Sequence, residues 1–273
     1  MDSSPTTERQ KPNAKYIRKV LTEGGKVRYI YKETEQKAKK ALPAVNRDRF
    51  AVAVDSVDKS FKALFTDACS EIDDIHYIAI NSGCSSVQMT KDIETFFDVL
   101  DVPAEYQEKD IFRSTSGCFN VNKGKIAFCL ANFPTDLSET VKKTIMLHET
   151  MHGFFYGALR LKHKKPLTAD SANQKLDKDY IKDAVKFVDN FGKLDDNMRK
   201  YAEGAVTETK GQDKEQLLAS QLNASVISEY AAISPEEHFA EAGAFYFILP
   251  NALKTKEPET YKAFNEFFKK YED

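Results

Sequence analysis

The chain has 273 residues, 41% hydrophobic and 30% charged, with 11 glycines, 9 prolines and a formal net charge of −2. This mixture excludes a collagen-like, low-complexity or wholly disordered chain and leaves room for one substantial hydrophobic core. The longest apolar runs, such as 77–80 and 244–249, fall far short of the roughly 20 residues a membrane-spanning helix needs, so no membrane partner is expected.

Residues 1–14 are polar, lack the apolar stretch of a secretory signal and read as a disordered tail. Cytoplasmic residence is the default expectation, with secretion or delivery into a host cell as the alternative. Residues 1–45 hold 11 Lys/Arg against 5 Asp/Glu, a surplus of +6 that leaves −8 for the remainder. Within this front end, 15–20 and 26–31 are β-prone runs flanking Glu23-Gly24-Gly25, which predicts a hairpin and makes 15–45 a basic hairpin segment. Its basic and aromatic character would suit nucleic acid or an acidic partner, whereas a solvated ribbon packed on the main domain is the simpler reading. The segment also resembles a short basic lead-in that recurs in phage-encoded proteins.

From 46 to 273 helical and strand signals alternate without internal repeats, the mark of an α+β domain. A helix is expected over 54–72, a strand over 75–81, a helix over 89–100 and a hairpin over 118–130. A two-residue turn at Lys123-Gly124 would set Asn122 against Lys125 and Cys118 against Cys129, as neighbouring reduced thiols. The four cysteines, Cys69, Cys84, Cys118 and Cys129, form no Cys-x-x-Cys pair and no disulfide framework. An amphipathic helix follows over 139–157, with Val141, Ile145, His148, Met151, His152 and Phe155 on one stripe. Further helices are expected over 177–191, over 213–226, from Ser234-Pro235-Glu236-Glu237 to about 247, and over 259–271.

His148-Glu149-Thr150-Met151-His152 is an HExxH motif inside that amphipathic helix. Histidines at i and i+4 project from one face, so both imidazoles can reach a single tetrahedral ion. Glu149 points about 100° round the helix, beside the ion, where it can take a proton from a metal-activated water and pass it to a leaving amine. A plain buried helix is the competing account, but two imidazoles and a carboxylate in an apolar stripe are costly to bury without a partner.

An open catalytic zinc site needs a third protein ligand. His76, in an expected buried strand, and His163, in a lysine-rich stretch, read as structural and solvated. Glu237 and Glu241 stand four apart on the 234–247 helix, so the first can bind the metal while the second receives the ring N–H of a ligand histidine. A local alternative is a capping box between Ser234 and Glu237, which would turn Glu237 back on its own helix and leave Glu241 or His238 as the ligand.

HETMHGFF, followed by Tyr230-x6-Glu237-x3-Glu241 within SEYAAISPEEHFAEAGAFYF, resembles the anthrax-lethal-factor-like metallopeptidases, which include the lethal factor catalytic domain and the Pro-Pro endopeptidases. The resemblance implies a zincin-like fold with a small mixed sheet, an HExxH active-site helix and a second, glutamate-bearing ligand helix. It implies one Zn2+ per chain on His148, His152 and Glu237, Glu149 as general base, Tyr230 as a phenol assisting the oxyanion and Glu241 as a carboxylate behind the ligands. The 85 residues between His152 and Glu237 are about twice the separation expected from the resemblance, so 160–212 reads as an insertion serving as lid, specificity loop or docking surface. The expected strand 125–130 would offer a sheet edge to an extended peptide.

The sequence therefore predicts a zinc-dependent endopeptidase acting on a specific protein or peptide. The alternatives are a metallopeptidase directed to nucleoprotein, and a catalytically silent binding module of a toxin or phage.

Overall fold

The computed structural model describes residues 14–21, 27–33, 59–109, 113–165, 176, 178–205 and 226–271. Strands β1 (Ala14–Leu21) and β2 (Val27–Glu33) pair antiparallel, with Tyr16 opposite Tyr31 and an irregularity between Tyr16 and Arg18. β1 thus begins inside the expected 1–14 tail.

A three-stranded mixed sheet carries the rest of the β structure. Its order is β3 (Ser86–Thr90), β5 (Lys125–Cys129), β4 (Gly117–Asn120), with β3 parallel and β4 antiparallel to β5. Flanked on both sides, β5 is buried from Ile126 to Cys129. Ile126 and Phe128 join the main core, whereas Ala127 and Cys129 meet Phe96, Phe97 and Leu100 of helix α3 (Ile93–Leu100). Alternate residues of one strand therefore serve two layers.

Several sequence expectations need correction. Residues 75–81 are not a strand but lie within helix α2 (Asp74–Gly83), which follows α1 (Lys59–Cys69). The β-branched isoleucines favour a strand locally, but the helix buries His76, Tyr77, Ala79 and Ile80 and brings Ala79 and Gly83 against another helix backbone, so tertiary packing overrides propensity. The helix expected over 89–100 is divided. Met89 and Thr90 complete β3, and the Asp92 carboxylate then caps α3 by accepting the Thr95 N–H at 2.8 Å.

The hairpin register also differs. Four residues join β4 to β5, because the Asn120 side chain takes the Lys123 N–H (3.1 Å), its carbonyl takes the Gly124 N–H (2.7 Å), and Gly124 adopts φ 62° as the last loop residue. Cys118 consequently faces Ala127, two places from Cys129, and all four cysteines are free thiols.

After the short helix α4 (Ala104–Gln107) and this hairpin comes α5 (Glu139–Lys162), longer at its C-terminus than expected. Ser138 caps it by accepting the Val141 N–H, and Arg160 and Lys162 in the last turn oppose the helix dipole. It is buried all round, not along one stripe: Met146, Leu147, Met151, Phe154 and Ala158 are fully enclosed, because α1, α2, β4 and two later helices all pack on it.

Those later helices are α6 (Lys178–Ala205) and α7 (Pro235–Ile248), with α8 (Pro250–Lys256) and α9 (Pro258–Lys269) closing the chain. Within 160–212, read from the sequence as an insertion serving as lid, specificity loop or docking surface, α6 carries Tyr180, Ala184, Phe187, Val188 and Phe191 into the core. Phe187 stacks on Phe267 of α9 at 4.6 Å and meets Phe239 of α7 at 5.5 Å. Residues 166–175, 177 and 206–212 of that stretch, and 213–225 of the helix expected over 213–226, lie outside the described residues. Among the described residues no helix is long and apolar enough to cross a membrane. The result is a helix-rich molecule around a small mixed sheet, compatible with a zincin-like metallopeptidase.

Candidate metal centre

His148 and His152 stand one turn apart in the middle of α5, and Glu237 comes from the first turn of α7 packed beside it. Their donor atoms converge. The two Nε2 atoms are 3.1 Å apart, and Glu237 Oε2 lies 3.0 Å from His148 Nε2 and 3.3 Å from His152 Nε2. Tetrahedral donors at about 2.0–2.1 Å from one ion lie roughly 3.3 Å from each other, so the three atoms already stand at the corners of a coordination tetrahedron. Glu237 Oε2 is enclosed and has no hydrogen-bond partner. Such an orphaned buried oxygen facing two imidazole nitrogens fits a divalent cation, and this donor set, leaving a fourth position open, suits zinc.

The electrostatics agree. Burial opposes charge on His148, but contacts with Glu237 and Glu241 overcome it and lift the ring to about 10. Burial likewise works against an ionised Glu237, and His148 and His152 outweigh it, holding the carboxyl well below the usual range. The pocket is thus built to hold an anionic carboxylate beside positive charge, whether on imidazolium or on a metal.

Glu241, one turn beyond Glu237 and 2% exposed, places Oε1 3.1 Å from His148 Nδ1. The angle falls short of an ideal hydrogen bond, but the contact keeps Nε2 as the nitrogen that faces the donors. Glu149 is buried beside this group; burial raises its pKa, and the two histidines only partly offset that rise. It nests against β4, where a Cβ on Gly117 would come within 3.0 Å of its Cγ. Phe119, two residues on, stacks over His152 at 5.9 Å and over Tyr156 at 5.6 Å. Tyr230 is 41% exposed, its ring 5.4 Å from that of His148.

The structure therefore brings His148, Glu149, His152, Glu237, Glu241 and Tyr230 together. The capping alternative for Glu237 is half realised: Ser234 Oγ accepts the Glu237 N–H at 3.2 Å, while the Glu237 carboxylate goes to the histidines. His238 is not a ligand, since its ring nitrogens go to Asp195 Oδ1 and Glu257 Oε2, both at 2.8 Å. With a carboxylate at each nitrogen, both must carry hydrogen. Burial opposes that charge, and the two carboxylates still raise His238 to about 9. His76 accepts from the Tyr180 hydroxyl at Nδ1 (3.0 Å) and donates from Nε2 to the Phe268 carbonyl (3.1 Å), a structural role, and His163 is exposed at the end of α5.

Among the described residues the sheet edges are β3 and β4, not the 125–130 strand, which is central between them; β4 is the edge that packs on the HExxH helix. Sequence reasoning missed Gly117 and Phe119, whose only signal was alternation within the hairpin. It also missed Asp195, Arg199 and Glu257, where the i, i+4 pair Asp195–Arg199 resembles any solvated helix pair.

Residues 187–269 match the family model described as glucose-regulated metallo-peptidase M90. The match supports a metallopeptidase. It spans under a third of the chain, beginning within α6 and running through α7 and α8 to the end of α9. It takes in Glu237 and Glu241 and leaves the HExxH helix outside, so the two halves of the donor set rest on independent signals. No curated protein and no solved structure matches the chain.

Proposed function

We propose that the protein is a zinc-dependent endopeptidase that hydrolyses internal peptide bonds of a specific protein, with one ion per chain on His148, His152 and Glu237. The observation that carries this reading is the convergence of three donor atoms within 3.0 to 3.3 Å, two from an HExxH helix and one from the helix in the metallopeptidase match. Zinc held there would polarise the scissile carbonyl and acidify a water. Glu149, buried beside the donors, accepts the proton of that water and returns it to the leaving amine. Tyr230, 41% exposed beside His148, offers its phenol to the oxygen on which negative charge develops. The β4 edge, with Gly117 against Glu149 and Phe119 against His152, aligns an extended peptide by main-chain hydrogen bonds.

The test is metal analysis with peptide-library cleavage. One zinc per chain and cleavage abolished in Glu149→Ala, with zinc content and fold retained, is the expected outcome. Bound zinc without cleavage of any library peptide would leave a metal-binding protein and end the peptidase reading.

A further inference from the structure

Beside the metal centre, the described residues hold an alternation of charges, buried except for a half-buried guanidinium, that hydrolysis itself does not use. Arg199 of α6 forks onto Asp195, with Nε 2.6 Å from Oδ2 and Nη2 3.2 Å from Oδ1. Asp195 Oδ1 accepts His238 Nδ1–H, and His238 Nε2–H donates to Glu257, both at 2.8 Å. Asp195, His238 and Glu257 are 1%, 0% and 4% exposed. Cation, anion, cation and anion thus tie α6, α7 and the start of α9 together.

Arg199 makes one more contact, and it leaves this chain of charges. Nη1 donates to the Ala232 carbonyl at 2.9 Å. Ala232 sits in the turn that delivers Tyr230: Ile233 N–H returns to the Tyr230 carbonyl at 3.1 Å, and Ala231, fully buried, gives its N–H to Ser228 Oγ at 3.0 Å. The Tyr230 ring rests against His148 at 5.4 Å, and the backbone of this turn sets where that ring, and with it the phenol, is delivered.

We propose that Arg199 is a positioning residue for Tyr230, clamping the Ala232 carbonyl while Asp195, itself held by His238 and Glu257, fixes the guanidinium. The inference rests on the peptidase reading and adds to it the group that aims the assisting phenol. A purely structural role is a weaker account of the observations. Buried ion pairs contribute little net stability against apolar replacements of similar volume, because desolvation consumes the Coulombic gain. What a bidentate guanidinium provides is direction: a planar fork fixed on one carboxylate also fixes where Nη1 points. His238 also adjoins Glu237 on α7, so the same chain of charges steadies the helix that supplies the third donor.

The test uses full-length wild type, Arg199→Gln, Tyr230→Phe and the double variant on a peptide chosen by library profiling, with zinc content measured for each. Arg199→Gln is expected to lower kcat by about tenfold or more, with KM within about threefold and zinc unchanged. In the Tyr230→Phe background the same change should cost less than about twofold, since the phenol it aims is gone. Wild-type kinetics in Arg199→Gln, or an equal loss in both backgrounds, would overturn the proposal. If Arg199→Gln does not fold, Arg199→Lys replaces it, keeping the charge beside Asp195 without the fork. Should wild type cleave nothing, the peptidase reading fails, and amide exchange decides the clamp separately. Exchange at Ala231 and Ile233 about tenfold faster in the variant, with α7 unchanged, supports it; unchanged exchange rejects it.

Discussion

Gly83 and Gly157 meet backbone to backbone where α2 crosses the HExxH helix. A methyl on Gly83 would lie 2.4 Å from the Gly157 nitrogen and 2.1 Å from the Gly153 carbonyl oxygen, and one on Gly157 would lie 2.1 Å from the Ala79 carbonyl oxygen. No side chain can swing aside, because the obstacles are main chain. Gly83→Ala and Gly157→Ala should each lower stability by about 3 kcal/mol, even though alanine gains about 1 kcal/mol in helix propensity. Gly192→Ala in α6 meets nothing within 4 Å and should leave stability equal or slightly higher. Thermal melts of the three variants check the contrast; a Gly157→Ala protein as stable as wild type would disprove the close crossing.

Metal affinity separates the roles of the two α7 glutamates. Glu237→Ala removes a donor and should weaken zinc binding by more than about 100-fold, whereas Glu241→Gln, acting through His148, should weaken it by about 10- to 100-fold. Competition against a chromophoric chelator measures both. Equal affinity in Glu237→Ala and wild type would mean that the third donor lies elsewhere.

His76 makes stability depend on acid. Burial holds its pKa at about 4 against an ordinary 6.5, only partly offset by its bond to the Phe268 carbonyl, so the folded ring is neutral when the unfolded one takes up a proton. The contribution is complete above about pH 6.5 and is lost as pH falls through about 4, amounting to about 3 kcal/mol by pH 4. Urea unfolding of wild type and His76→Gln at several pH values tests this at fixed metal content. The variant should be less stable at pH 7 and show a shallower decline; parallel curves would assign the decline to other groups.

Replacing Tyr230 by Phe removes one hydroxyl from the ring that lies beside His148. The expected result is kcat lower by roughly 100-fold with KM and zinc content little changed, the pattern of a donor used in the transition state alone. A rise in KM at constant kcat would instead make Tyr230 a substrate-binding surface.

The parts legible in the sequence were those fixed by short-range geometry. His148 and His152 share a face because a helix repeats near every fourth residue, and Ser234 before Pro235 marks the start of α7 whatever surrounds it. What stayed hidden depends on contacts across the chain. Residues 75–81 look like a strand until Gly153 and Gly157 supply a groove for a helix. The register of β4 on β5 turned on Asn120 closing a four-residue loop, and the sheet edge could not be assigned before β3 was seen beside β5. His238 remained a candidate ligand because its partners, Asp195 and Glu257, are 43 and 19 residues away.

Because the helix bearing His148 and His152 is also enclosed on all sides through its middle turns, a saturation screen of this protein would report two losses as one. Along 146–158 most substitutions would reduce folded abundance and turnover together. The two readouts should part company at Glu149 and Tyr230, and normalising turnover to soluble protein is what would isolate the chemistry from the scaffold.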